Sequence, residues 1–99
     1  MQSIVFRYPF EHVYKGAKMV MFNKGFNITN SDHNKGRISF SKKKFLILPD
    51  VKATLNLEKL GSENIRVVID AKVKGLFFSN KKRAERIEHR IAEVMASII

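Results

Sequence analysis

The 99-residue chain has no cysteine, no tryptophan, two prolines and nine acidic residues. Without cysteine there is no disulfide, no thiolate metal site and no cysteine nucleophile. No apolar run approaches the roughly 20 residues a membrane-spanning helix needs. Arg7 interrupts the short apolar start, so the basic-then-apolar pattern of a signal peptide is missing. We therefore expect a cytoplasmic location, or an envelope one if a leader has been removed. Glycine-rich phosphate loops and nucleophile elbows are also absent.

Positive charge is present in excess. Nineteen Lys and Arg against nine Asp and Glu give a net charge of +10. Residues 1–49 hold nine bases and two acids, and residues 50–99 hold ten and seven, so the excess is spread along the chain. Such a field attracts an acidic protein, a nucleic acid backbone or a membrane surface. It also serves solubility alone. Hydrophobic residues make up 44%, enough for one folded domain over residues 1–99.

Ser3–Tyr8 alternates as a strand, with Ile4, Phe6 and Tyr8 on one side. Pro9 suits the first turn of a helix that Glu11 favours electrostatically. Phe10, Val13, Tyr14, Ala17, Val20 and Met21 share one face of that helix, and Gly25 ends it as a C′ glycine. Gly16 inside it costs roughly 1 kcal/mol relative to alanine. Phe26 and Ile28 begin a second strand, 30–36 forms a polar turn, and Ile38 and Phe40 mark the return strand of a hairpin. Lys42–Lys44 reads as a basic turn and Phe45–Leu48 as an apolar run bent at Pro49. Val51–Glu58 and Ile65–Val73 alternate cleanly. A last helix buries Ala84, Ile87, Ile91, Val94, Met95 and Ile98 at helical spacing. The result is an α+β two-layer sandwich. Its antiparallel sheet has about five strands, in chain order β-α-β-β-β-β-α, with both helices on one face.

The rhythm Val13, Ala17, Gly25-Phe26-Asn27-Ile28, Asp32, Gly36-Arg37-Ile38, followed by a strand and a C-terminal helix, resembles a group of small bacterial domains. In these a curved antiparallel sheet grips a long C-terminal helix, as in uncharacterised lipoproteins and outer-membrane assembly lipoproteins. The resemblance implies a binding or assembly module rather than an enzyme. It transfers no functional residues. Without cysteine there is no acylated cysteine either, so the envelope location does not come with it.

His12, His33 and His89 are far apart and lack metal-ligand spacing, so each reads as a surface histidine. Glu58, Asp70, Glu85, Glu88 and Glu93 fit solvated faces. No catalytic residue, metal site or cofactor is expected, and we read the chain as a non-enzyme. The basic residues give a clearer pattern. Lys81, Lys82 and Arg83 sit where the last helix begins, beside Asn80, a good N-cap residue. That is the wrong sign for the positive end of a helix dipole. Arg83, Arg86 and Arg90 continue as a stripe at i, i+3, i+7, with Glu93 offsetting Arg90. These five cations form a candidate anion site.

The outer sheet face carries no aromatic residue, which removes the stacking platform of an RNA-reading sheet. Nonspecific nucleic-acid binding through phosphates remains an alternative. A second alternative is a carrier of a small apolar ligand between sheet and C-terminal helix, lined by Phe6, Tyr14, Met21, Phe40 and Met95, residues that equally suit a plain core. Met19 and Phe22 point away from the buried side of the first helix, and Phe77 and Phe78 sit together in a loop. These four are candidate partner contacts. The sequence does not fix the oligomeric state.

Overall fold

A computed structural model describes residues 1–42, 51–73 and 80–99, except the side chains of Asn80, Lys81 and Ile98. The expectations for Lys43, Lys44, Phe45–Leu48, Pro49, Phe77 and Phe78, and for the side chains of Lys81 and Ile98, lie outside the described residues. The elements are β1 (Gln2–Phe6), α1 (Phe10–Asn23), β2 (Asn27–Asp32), β3 (Arg37–Lys42), β4 (Val51–Gly61), β5 (Asn64–Val73) and α2 (Asn80–Ile98). Five strands form one antiparallel sheet in the order β1-β5-β4-β3-β2. The sequential strands pair as a meander. β1 then closes the far side against β5, with Gln2 opposite Ile69 and Phe6 opposite Ile65. Both helices pack on one face, giving the expected two layers.

Each strand's inward set is continuous with its neighbour's. Ile38 lies opposite Leu55 and Leu55 opposite Ile69, and all three are fully buried. Val13, Ala17, Val20 and Met21 of α1 and Ala84, Ile91 and Met95 of α2 complete the core. Each large apolar side chain buried this way contributes about 1.5–3 kcal/mol. Phe6, Tyr14, Met21, Phe40 and Met95 all belong to this core.

Helix α1 starts after an extended Pro9, whose carbonyl accepts from the Val13 N–H at 3.2 Å. It ends in a Schellman motif. The Phe26 N–H donates to the Met21 carbonyl and the Gly25 N–H to the Phe22 carbonyl, both at 3.0 Å. Gly25 supplies the required positive φ of 87°. Gly16 has a packing reason: a Cβ there would stand 2.8 Å from Cγ1 of Ile99, whose side chain packs against α1 at this point. The helices run antiparallel, since Asn23 and Lys24 lie beside Arg90 and Ile91 at the other end.

Several expectations shift. β1 stops at Phe6, and Tyr8 is exposed in the following turn, its ring 4.7 Å from that of His12. β2 runs to Asp32 rather than ending at Thr29, because a bulge at Thr29 lets the polar residues continue pairing with β3. β2 is also an edge strand, so Ile28 is exposed instead of buried. β4 extends to Gly61 through a second bulge at Leu60. Glu88 faces inward and is only 2% exposed, not solvated.

Candidate functional site

Helix α2 lies over β5 and β1, and its first half overhangs the end of the sheet where β4 begins and β5 finishes. A cleft of about 890 Å³ opens there. Its floor is apolar, made by Val51, Val73 and Ile87. Lys82, Arg83, Arg86 and Arg90 line it, together with Glu85, His89 and Glu93. Four of the five predicted anion-site cations therefore share one concavity. The helical spacing that makes them a stripe also aims them together. No acidic residue stands in the first turn of α2.

Among the described residues, none of these four cations is in an ion pair. Glu93, expected to offset Arg90, instead holds His89, with Nε2 to Oε1 at 2.8 Å. The reason is geometric: His89 and Glu93 are four apart on α2 and stack one turn above the other, whereas Arg90 lies round the helix on the Ile87 side. Arg86 and Arg90 keep their mutual repulsion.

A smaller cavity of about 350 Å³ adjoins the cleft and shares Val51, Ile87 and Arg90 with it. It is lined further by Asn23, Lys24, Phe26, Lys42 and Ile91. Here Lys42 Nζ donates to the Lys24 carbonyl at 2.8 Å and stands over the Phe26 ring. This hydrogen bond caps the C-terminal end of α1 and ties it to β3. None of Phe6, Tyr14, Met21, Phe40 or Met95 lines either cavity; they pack in the core.

The histidines stay apart. His33 Nε2 meets Glu11 Oε1, and its ring lies edge-on to Phe10 at 5.2 Å, which pins the β2–β3 turn to the start of α1. The His12 ring lies tilted against that of Tyr8. No group of three metal-ligating side chains occurs among the described residues. Met19 and Phe22 are exposed as expected, at 59% and 74%.

The sequence reading missed Glu88. Its Oε2 accepts from the Ala71 N–H at 2.8 Å, and its Oε1 lies 2.6 Å from the Met1 ammonium. The carboxylate holds that ammonium's pKa above its ordinary value. The signal that could have found it was spacing: Ala84, Glu88, Ile91 and Met95 form one inward stripe.

Among the described residues no helix is long and apolar enough to cross a membrane. No family model matches the chain, and no curated protein does. Solved structures do share its fold. An uncharacterised protein from Bacillus thuringiensis superposes with a TM-score of 0.68 at 10% identity, over 98% of this chain and 92% of that one. The di-domain ARO/CYC BexL from the BE-7585A biosynthetic pathway gives 0.64 at 13% identity, over 98% of this chain and 43% of that one. The chain thus matches less than half of BexL. These likenesses support a small α+β domain and offer no link to outer-membrane assembly lipoproteins.

Proposed function

We propose that the chain is a small non-catalytic binding module that receives an anionic ligand in the cleft between α2 and the ends of β4 and β5. One observation carries this reading: Lys82, Arg83, Arg86 and Arg90 line a single cleft with no ion-pair partner among the described residues. Clustered like charges raise one another's energy, and an anion in their midst relieves that repulsion. The apolar floor beneath them suits a ligand with an apolar body and an anionic head.

The floor also favours a second reading, a carrier for which the apolar body matters and the charge does not. Two naphthalene dyes separate the two. Anilinonaphthalene sulfonate is anionic, and N-phenylnaphthylamine is its neutral counterpart. The anion reading expects the sulfonate to bind at low salt and to raise the unfolding temperature. It expects Arg86→Ala with Arg90→Ala to weaken that binding about tenfold or more, and the neutral dye to bind poorly. Equal affinity for both dyes favours the carrier. No binding of either dye at low salt sinks both readings.

A further inference from the structure

Helix α1 turns Val13, Ala17 and Val20 inward, and on the opposite side it presents Lys15, Met19 and Phe22. Phe22 is the more exposed of the two apolar side chains, at 74%, with Met19 at 59%. Phe22 immediately precedes Asn23 and Lys24, which share a cavity with Arg90 of α2. Arg86 and Arg90 line the cleft yet remain exposed to solvent on α2. Since the two helices form one layer, the apolar pair on α1 and these cations are accessible from the same side of the molecule.

Two protruding side chains on a convex helix are a poor protein interface. A stable one buries about 800 Å² per partner around a packed centre, and this patch offers far less. A second copy of the chain is disfavoured further by the +10 charge each would carry. A bilayer has neither requirement. It admits a few apolar side chains at the boundary between headgroups and acyl chains, and an anionic leaflet adds attraction for every nearby Lys or Arg.

We propose that the helix layer docks on an anionic phospholipid surface, with Met19 and Phe22 entering the boundary and Arg86 and Arg90 meeting lipid phosphates. The headgroup half rests on the anion-site reading of α2. The apolar half stands on α1 alone.

The test uses the full chain and vesicles of phosphatidylcholine, with or without phosphatidylglycerol. The chain has no tryptophan, so Phe22→Trp supplies a single fluorescent reporter. We expect its emission to shift to the blue, and to be quenched by brominated acyl chains, only on the anionic vesicles. Co-flotation should fall more than about tenfold in the Met19→Ser, Phe22→Ser double variant, which leaves the net charge unchanged, while the affinity for anilinonaphthalene sulfonate stays unchanged. Removing Arg86 and Arg90 should weaken both, the vesicle binding by about 30-fold at roughly 1 kcal/mol per charge. Dye binding without vesicle binding overturns the membrane inference and leaves the anion site standing. Vesicle binding that survives the Met19 and Phe22 replacements, or unshifted emission from the Phe22→Trp variant on anionic vesicles, also overturns it.

Discussion

The Glu88 carboxylate takes a hydrogen bond from the Ala71 backbone N–H at 2.8 Å, joining α2 to the stretch of β5 that β1 fails to reach. β1 pairs with β5 only as far as Gln2 opposite Ile69. Beyond that point, among the described residues, no β1 residue pairs with Ala71, which is buried. The side chain from the helix takes the place of a missing strand residue. Glu88→Ala leaves that donor unsatisfied, which costs about 1–3 kcal/mol. Glu88→Gln keeps an acceptor oxygen and should lose less. Urea unfolding of both variants checks the ranking, and equal losses would mean that the hydrogen bond to Ala71 is not what matters.

The same carboxylate makes stability depend on pH through Met1. The folded state raises the pKa of the Met1 ammonium, chiefly by the hydrogen bond to Glu88, with its charge adding to the effect. The folded state therefore holds this proton more tightly than the unfolded one. Stability from the pair is complete below the ordinary α-amino pKa, about 8, and is lost as pH rises through the folded-state value. Unfolding temperature should decline on the alkaline side of neutrality, and the decline should flatten in Glu88→Gln. An unchanged slope in that variant would assign the alkaline loss to other groups.

Gly36 is where the β2–β3 turn meets β4. Its φ is +67°, its carbonyl accepts from the Leu57 N–H at 2.7 Å, and a Cβ would fall 2.5 Å from the Leu57 carbonyl oxygen. Gly36→Ala should cost at least about 1–2 kcal/mol from the left-handed backbone alone, with the clash adding to it. Gly25 has a positive φ as well, but its nearest neighbour beyond the turn is the Lys42 side chain at 3.5 Å. Gly25→Ala should therefore be the milder change. Thermal melts of the pair test this, and a reversed order would show that the contact with Leu57 relaxes at little cost.

Most of the architecture is legible in the sequence because its signals are local. Alternation marks β4 and β5, and the glycine after Lys24 marks the end of α1. Where the reading fails, tertiary context overrides local pattern. Ile28 looks inward by alternation, yet β2 lies at the edge and a bulge breaks the alternation at Thr29. Glu88 has the spacing of an inward residue, but its charge reads as solvated because the partners that let it be buried, the Ala71 N–H and the Met1 ammonium, come from other elements. The cations of the candidate site are visible as a helical stripe. Their shared cleft is not, because it needs the ends of β4 and β5, with Val51 and Val73, to be brought together beneath the helix by sheet pairing.

Lys82 ties the site's charge to the stability of the helix that carries it. It is exposed near the start of α2, where the dipole disfavours a cation and the first turn holds no acidic residue. Lys82→Glu replaces an unfavourable charge with a favourable one and should stabilise the folded state by about 0.3–1 kcal/mol. On a chain of this size that raises the unfolding temperature by a few degrees. The same substitution puts a carboxylate in the wall of the cleft, so affinity for anilinonaphthalene sulfonate should fall. A residue kept only for solubility would give the first effect without the second. Melting curves and dye titrations on this one variant therefore distinguish a cation retained for binding from one that merely decorates the surface. A rise in stability with unchanged dye affinity would remove Lys82 from the site.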